Sequence, residues 1–291
     1  MLDFITWTAS PELYHGFVTV RWYGLMFAIG FWVGYEMVWR QFRHEGAPES
    51  WVAKLFFYVI IATVVGSRLG HVFFYDWSYY SHHLSEIPKV WEGGLASHGG
   101  VLGIILAIWI YSRVVTKRSM LWTFDRLVVP VGFVAALIRL GNLFNHEIYG
   151  FATNQPWGFR FIDNVNEWLR GAEPIFTVPC HPTQIYEAMC YLIVFAVCVW
   201  MYWRRNDQER EGLIFGFFMT GIFTARFFIE FLKNVQEPWE IAVRQSIGLD
   251  QGQLLSIPFI VLGVWLMVRA YRRPRVKLDF PNKFPDEKKK K

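Results

Sequence analysis

The sequence predicts an all-α integral membrane protein with about seven transmembrane helices, an N-terminus outside the cytoplasm and a cytoplasmic C-terminus. Of its 291 residues, 54% are hydrophobic and only 18% are charged, a composition typical of membrane proteins. The apolar residues fall into seven runs of about 20, the length that crosses the hydrocarbon core of a bilayer. Clusters of basic residues follow the first, third, fifth and seventh runs, and this asymmetry gives the predicted orientation.

The seven predicted spans lie at about 17–39, 51–75, 95–115, 126–149, 184–203, 212–233 and 252–271. Cationic clusters that the positive-inside rule assigns to the cytoplasm include Arg40 and Arg43, Lys117 and Arg118, Arg204 and Arg205, and a KKKK tail. The first run follows Asp3 and Glu12 and has neither a basic n-region nor a small-residue cleavage site. It is therefore expected to be a span and not a cleaved signal peptide.

The spans define a polytopic membrane domain over residues 1–275. The segment at about 150–183 is long enough to form a small extracytoplasmic cap, and the basic tail at 276–291 is expected to be disordered and to contact anionic lipids. The net charge of +5 comes from short loops, which gives no nucleic-acid-binding face. Three cysteines without CxxC or CxxxH spacing argue against a disulfide framework and a zinc site: Cys180, Cys190 and Cys198.

The end of the fourth span is unusually polar, reading RLGNLFNHEIYG from Arg139 to Gly150. A charged side chain at the centre of a membrane helix costs about 2.5–3.5 kcal/mol on translocon scales. If the helix continues, one stripe carries Arg139, Asn142, His146 and Tyr149, with Asn145 at its border. Glu147 then lies on the other side or beyond the helix end. Such a stripe could merely join helices, but an arginine with several polar neighbours favours a functional site.

Two other polar groups interrupt apolar runs. His98 lies in GGLASHGG, where Gly99 and Gly103 form a small-xxx-small pair that lets another helix approach closely. Arg226 and Glu230 are four residues apart and so share a helical face. They can form an internal ion pair, although such a pair stabilises less than apolar packing and an anion-binding role is the alternative.

Arginines occur in three spans, as Arg68, Arg139 and Arg226. Because arginine binds phosphate well, they predict an anion site at the depth of the outer-leaflet headgroups. The sequence contains no HExxH, P-loop or GxSxG motif, so a nucleophile would arrive with a substrate. A transporter for an anionic solute is the alternative, but the two related halves that it predicts are not visible. A purely structural role is a further alternative, but it would not explain why three arginines are kept in membrane spans despite their free-energy cost.

The RLGNLFNHEIYG stretch resembles the signature of the bacterial prolipoprotein diacylglyceryl transferases, Gly-Arg-x-Gly-Asn-Phe-x-Asn-x-Glu-x-x-Gly. The matching residues are Arg139, Gly141, Asn142, Asn145, Glu147 and Gly150. The sequence departs from the signature at Ile138 and Leu143. Similar blocks occur in the family's order at 22–27 (WYGLMF), 66–75 (GSRLGHVFFY), 90–100 (VWEGGLASHGG), 181–187 (HPTQIYE), 225–231 (ARFFIEF) and 252–258 (GQLLSIP). The resemblance therefore covers nearly the whole chain.

This resemblance implies an enzyme of the bacterial cytoplasmic membrane. It would move the diacylglyceryl group of phosphatidylglycerol onto the thiol of the lipobox cysteine of a prolipoprotein, form a thioether and release glycerol phosphate. Its partners would be phosphatidylglycerol, prolipoprotein signal peptides and membrane lipids, without a cofactor, a metal or a nucleic acid.

The resemblance also suggests roles for individual residues. Arg139 and Arg226 would hold the phosphate, and His98 would deprotonate the thiol; the open alternatives are that the arginines lower the pKa of the thiol or that His98 is structural. Residues that would orient the arginines and bind the headgroup are Tyr23, Arg68, Asn142, Asn145, Glu147, Gly150 and Glu230. A tyrosine of the family is replaced by Ile222, and the resemblance gives His146 no role.

Overall fold

The computed structural model describes residues 4–16, 19–234, 248–277 and 280. The protein is mostly helical. Its helices are α1 (Trp22–Glu45), α2 (Ser50–Phe74), α3 (Trp77–Tyr80), α4 (Ser97–Tyr111), α5 (Met120–Phe144), α6 (Val165–Trp168), α7 (Thr183–Trp203), α8 (Leu213–Glu230) and α9 (Gln251–Tyr271). A π-helical turn at Ser112–Thr116 extends α4. The basic tail that the sequence predicts to be disordered lies largely outside the described residues.

Within the described ranges, four short strands accompany the helices. They are β1 (Ile5–Thr6), β2 (Glu12–Tyr14), β3 (Val20–Arg21) and β4 (Phe159–Arg160). Strand β1 pairs in parallel with β4, and β2 pairs antiparallel with β3. The β1–β4 pair joins the N-terminal segment to the segment between α5 and α7.

Among the described residues, six helices are long and apolar enough to cross a membrane, and they correspond to six of the seven predicted spans. The chain is therefore a multi-pass membrane protein. The six are α2, α4 with its π-helical extension, α5, α7, α8 and α9. Helix α1 has 24 residues but is not one of them, because Trp, Tyr and Gly residues and Glu36 interrupt its aliphatic residues. The first of the seven predicted spans, which coincides with α1, therefore stays a prediction.

The fourth predicted span extends too far, because α5 ends at Phe144 and not at Tyr149. Two residues after that end have left-handed backbone conformations, with φ of 55° at His146 and 60° at Ile148. Such angles are incompatible with a continuing right-handed helix. The polar residues after Phe144 therefore form a folded loop.

The chain divides into two compact units. One comprises Met1–Gly34 and Leu127–Val276, and the other comprises Tyr35–Arg126 and Lys277–Lys291. In the first unit α8 packs against both α7 and α9. In the second unit α2 packs along α4.

The close approach of α2 and α4 depends on glycines from both helices, which confirms the prediction for Gly99 and Gly103. A Cβ atom at Gly66 would lie 2.5 Å from the Gly99 carbonyl oxygen and 3.1 Å from Gly103 Cα. A Cβ atom at Gly99 would lie 2.6 Å from Gly70 Cα. Small residues thus let the two backbones touch, as in other membrane helix pairs.

We expect Gly99→Ala to lower the free energy of unfolding by about 1–3 kcal/mol, because the added methyl group meets rigid backbone atoms. Gly24→Ala is the matched control, since a Cβ atom there would meet nothing within 4 Å. Thermal unfolding of both variants in the same detergent measures the difference. Equal midpoints for the two variants would contradict the glycine contact.

Candidate active site

Arg139 forms a buried ion pair in the first unit. Its Nε atom on α5 lies 2.8 Å from Glu187 Oε2 on α7, and the Glu187 side chain has no solvent exposure. Arg139 Nη1 also donates a hydrogen bond to Asn142 Oδ1 at 3.3 Å. The Arg139 side chain is 17% exposed.

Glu187 binds more than one cation. Lys233 Nζ donates to Glu187 Oε1 at 2.9 Å, and the Tyr191 hydroxyl donates to the same oxygen at 3.2 Å. Lys233 is itself buried, with 5% exposure. Glu187 ends the HPTQIYE block but received no predicted role, and neither Tyr191 nor Lys233 was predicted to belong to the site. Glu187 is the only charged residue of α7, so the cost of membrane-embedded charge that drew attention to Arg139 applies equally to it.

Arg226 and Glu230 are close to each other on α8, although the contact is long. Arg226 Nε lies 4.0 Å from Glu230 Oε2, and Lys233 Nζ lies nearer to that oxygen, at 3.5 Å. Arg226 is 37% exposed. Glu230 Oε2 is buried and accepts no hydrogen bond from the described part of the chain.

The start of α9 packs directly on Glu230. A Cβ atom at Gly252 would lie 2.8 Å from Glu230 Oε2 and closer still to its other carboxylate atoms. Gln253 Nε2 donates to the Phe227 carbonyl oxygen at 3.1 Å, which ties the two helices together. A larger residue at 252 would push the Glu230 carboxylate out of its present position.

The charges of this site are balanced. Its cations are Arg139, Arg226 and Lys233, and its carboxylates are Glu147, Glu187 and Glu230. Three positive and three negative side chains give a formal charge of zero, whereas the sequence suggested a cationic site. An anion would be held here by directed N–H donors and not by a large net positive potential.

Asn142, Asn145 and Glu147 form one hydrogen-bonded group at the end of α5. The side-chain amides of Asn142 and Asn145 donate to Glu147 Oε1 at 2.7 and 3.1 Å. Glu147 lies beyond the helix end, one of the two positions that the sequence left open. Its carbonyl oxygen accepts a hydrogen bond from Gln184 Nε2 on α7 at 2.6 Å.

Gly150 connects this loop to the ends of α7 and α8. Its N–H donates to the His181 carbonyl oxygen at 2.8 Å, and its own carbonyl oxygen accepts from Asn234 Nδ2 at 2.9 Å. A Cβ atom at Gly150 would overlap the Leu232 carbonyl oxygen and lie 2.8 Å from Thr183 Cγ2. Gly150 therefore positions the backbone next to Lys233, and no side chain fits there.

Tyr23 lies against α5 beside the same group. A Cβ atom at Gly141 would lie 2.8 Å from Tyr23 Cδ2 and 3.2 Å from Tyr23 Cα. The Tyr23 side chain is close enough to Glu147 and Arg139 to interact electrostatically with both. The structure thus brings Tyr23, Arg139, Asn142, Asn145, Glu147, Gly150, Arg226 and Glu230 into one unit.

His146 and Tyr149 do not share the polar edge of Arg139 and Asn142. His146 Nε2 hydrogen-bonds the Ala9 carbonyl oxygen at 2.9 Å, and its Nδ1 accepts from the Ile162 N–H at 3.1 Å. Tyr149 stacks on Phe161. The predicted stripe is wrong in this part, because the helix ends before these residues and both point into the segment between α5 and α7.

The hydrogen bonds of His146 require a neutral imidazole, because its Nδ1 is an acceptor. Burial lowers the pKa of His146 below its ordinary value, and the hydrogen bond to Ala9 opposes this only in part. Burial also lowers the pKa of His181. The unfolded chain therefore binds protons on these histidines at a higher pH than the folded chain does.

We expect the free energy of unfolding to fall as the pH drops below about 6.5, the ordinary pKa of histidine, because the unfolded state then takes up protons that the folded state excludes. His146→Ala should cost about 1–3 kcal/mol at pH 8 by leaving two buried backbone groups unpaired. It should also reduce the pH dependence. Thermal unfolding between pH 5 and 8 tests both effects, and an unchanged pH slope in the variant would contradict the assignment.

Cys180 is free and 3% exposed. Burial raises the pKa of its thiol, and buried thiols of this kind are unreactive. Cys190 and Cys198 lie within α7 and form no disulfide with another described residue. These environments do not activate a thiol nucleophile.

The guanidinium N–H donors of Arg68 are bound to carbonyl oxygens of the second unit. Its guanidinium donates to Glu86, Ile87 and Gly93 at 2.7–2.8 Å and lies 5.0 Å from the ring centroid of Tyr80. It is 3% exposed. These contacts hold the chain between α3 and α4 in place, and they leave little of the guanidinium for a substrate.

His98 lies in the first turn of α4 and is exposed. It borders a cavity of about 270 Å³ that is also lined by His71, Tyr75, Leu95, Ala96 and Ser97. Ala96 N–H donates to the Ser67 carbonyl oxygen at 2.9 Å, which fixes the entry to α4 next to Arg68. An imidazole in this position is accessible for proton transfer.

These features define a polytopic helical membrane protein with a balanced ionic site among its helices. Residues 11–269 match the family described as prolipoprotein diacylglyceryl transferase, and the chain belongs to this family. It is similar to the phosphatidylglycerol–prolipoprotein diacylglyceryl transferase of Porphyromonas gingivalis, at 53% identity over 93% of this chain and 96% of the relative. The enzymes of that name from Tolumonas auensis and Chloroherpeton thalassium are 42% and 40% identical over at least 90% of both chains.

Proposed function

We propose that this protein transfers the diacylglyceryl group of phosphatidylglycerol to the lipobox cysteine of a prolipoprotein. The observation that carries the proposal is the buried group around Arg139 and Glu187, which lies within the residues that match the transferase family. Guanidinium donors suit a phosphate group.

The reaction forms one bond and breaks one. The cysteine sulfur attacks the diacylglyceryl carbon that is bonded to the phosphate oxygen, a C–S bond forms, and the C–O bond breaks. The electron pair of the C–O bond leaves with the oxygen as glycerol phosphate, and the thiol proton passes to a base. Negative charge therefore grows on the phosphate as the bond breaks, and N–H donors directed at that charge lower the barrier.

Arg139 and Arg226 supply these donors in the proposed mechanism, and the carboxylates keep them oriented. Glu187 contacts Arg139 at its Nε edge, and Lys233 in turn fixes Glu187, so that the opposite edge of the guanidinium would face the lipid phosphate. The unoccupied acceptor atoms Glu230 Oε2 and Asn145 Oδ1 would accept hydrogen bonds from the glycerol hydroxyls of the headgroup. Tyr23 and the Asn142–Glu147 pair fix the side of the site next to α5.

We assign Arg68 a positioning role. Its carbonyl contacts order the chain that leads into α4 and so place His98. Ala or Leu at this position would remove the donor from the carbonyl oxygens of Glu86, Ile87 and Gly93.

The proposed topology has α1 as a seventh span, an N-terminus outside and a C-terminus in the cytoplasm of a bacterium, with the protein in the cytoplasmic membrane. The segment between α5 and α7 would then form the extracytoplasmic cap next to the active site. This arrangement lets a secreted prolipoprotein present its cysteine from the outer side of the membrane.

The assay uses purified protein in phosphatidylglycerol vesicles with a lipobox peptide or its Cys→Ser counterpart. We expect one glycerol phosphate released per peptide that gains a diacylglyceryl group, and neither product with the serine peptide. A folded protein that yields neither product from the cysteine peptide would contradict the proposal, and flux of an anionic solute would then be tested.

His98→Gln tests the proposed base. A thiol with a pKa of about 8.5 is roughly 3% ionised at pH 7, so losing the base should slow transfer by at most about 30-fold. The deficit should shrink as the pH approaches 8.5, because hydroxide then supplies the thiolate. Initial rates of wild type and variant between pH 6 and 9 give this profile. Full activity at pH 7, or a deficit that does not change with pH, would contradict the general-base role.

A further inference from the structure

A second polar cavity lies at the opposite end of α9 from Glu230. Its volume is about 370 Å³, and it is lined by Glu211, Arg269, Arg273, Pro274 and Val276. Arg269 is in the last turn of α9, 17 residues after Gly252. At 1.5 Å per residue this separation is about 25 Å along the helix. The cavity is thus distinct from the candidate active site.

Arg269 lines this cavity and carries a buried donor. Its Nη1 atom is buried and has no hydrogen-bond partner in the described part of the chain. The nearby carboxylates of Asp207 and Glu209 are instead paired with Arg275, at 3.9 and 3.8 Å. A buried guanidinium N–H without an acceptor is costly, and an anionic ligand in the cavity would supply one.

The surroundings of the cavity are those of a membrane interface. Trp265 and Tyr271 on α9 are 57% and 53% exposed. The Arg269 guanidinium carbon lies 6.0 Å from the ring centroid of Trp265. Exposed aromatic rings beside cations at a span end are typical of headgroup depth, where phospholipid phosphates lie.

We propose that this cavity binds the phosphodiester of a phospholipid headgroup. Arg269 and Arg273 provide planar guanidinium donors that match phosphate oxygens. Glu211 accepts hydrogen bonds from the group beyond the phosphate, and an ammonium suits it best. The volume lies within the range of about 300–1,000 Å³ that small-molecule sites occupy. With the C-terminus in the cytoplasm, the bound lipid belongs to the cytoplasmic leaflet.

The test is native mass spectrometry of the whole protein titrated with phosphatidylethanolamine or phosphatidylglycerol. Arg269→Gln should lower retention of one lipid by about tenfold or more, the effect of losing a charge-assisted hydrogen bond. Arg272→Gln is the matched control, because Arg272 is an exposed neighbour that does not line the cavity. It should retain lipid as wild type does.

Glu211→Gln provides a second, milder variant. It should reduce retention of phosphatidylethanolamine relative to phosphatidylglycerol, because an amide attracts an ammonium less than a carboxylate does. Equal losses in Arg269→Gln and Arg272→Gln, or no loss in either, would overturn the proposal. Complete displacement of the lipid by millimolar inorganic phosphate would also overturn it, since the ligand would then be a free anion.

Discussion

Arg139→Gln should lower the rate of glycerol phosphate release by about 10³-fold or more, with the protein still folded. Loss of a single directed donor to a developing oxyanion costs roughly 10²–10³-fold, and this change removes a charge as well as several donors. Glu187 keeps its contacts with Lys233 and Tyr191, so its carboxylate stays paired and the site keeps its shape.

Two further variants separate catalysis from folding. Arg139→Lys keeps the charge but loses the planar donor fork, and it should recover only part of the activity. Arg272→Gln removes an exposed arginine from the end of α9 and should retain the wild-type rate. Initial rates at saturating phosphatidylglycerol, with elution volume and thermal unfolding as folding controls, supply the comparison. An Arg139→Gln protein with more than a tenth of the wild-type rate would contradict the phosphate-binding role.

Glu187→Gln should lower the free energy of unfolding by about 3–5 kcal/mol. The change removes the fully buried carboxylate that pairs with both Arg139 and Lys233, and breaking a buried ion pair costs about that much. Glu167→Gln, at an exposed position of α6, should stay within about 0.5 kcal/mol of wild type.

A double variant isolates the pairing itself. Glu187→Gln combined with Lys233→Met also removes Lys233, one of the two cations that contact Glu187. The double variant should be more stable than Glu187→Gln alone. Residues in one ionic network are expected to be non-additive in this way. Thermal unfolding of the single and double variants gives the coupling. Additive effects of the two changes would show that Glu187 and Lys233 do not stabilise each other.

The sequence predicted the spans well, because about 20 apolar residues in a row have few alternatives to a membrane helix. It misplaced the end of α5, since polar residues spaced three and four apart imitate a helical stripe. The left-handed conformations of His146 and Ile148 follow from contacts with Ala9, Ile162 and Thr183. Those partners are distant along the chain, and periodicity does not reveal them.

The candidate site was predicted only in part, because several of its contacts join residues that are distant along the chain. Arg139 and Arg226 stood out because charge is expensive in a span. Lys233 follows the end of α8 and looks like an ordinary flanking cation until the fold places it on Glu187. Arg68 also looked like an anion ligand, but its carbonyl partners lie 18–25 residues further along the chain.

The most direct test of the proposed chemistry follows the oxygen atom that bridges the diacylglyceryl carbon and phosphorus. Phosphatidylglycerol labelled with oxygen-18 at this atom is incubated in vesicles with the protein and the lipobox peptide. Attack of sulfur on carbon predicts that all the label appears in glycerol phosphate and none in the lipidated peptide. Label retained on a diacylglyceryl product, with unlabelled glycerol phosphate released, would show cleavage at phosphorus and contradict displacement at carbon.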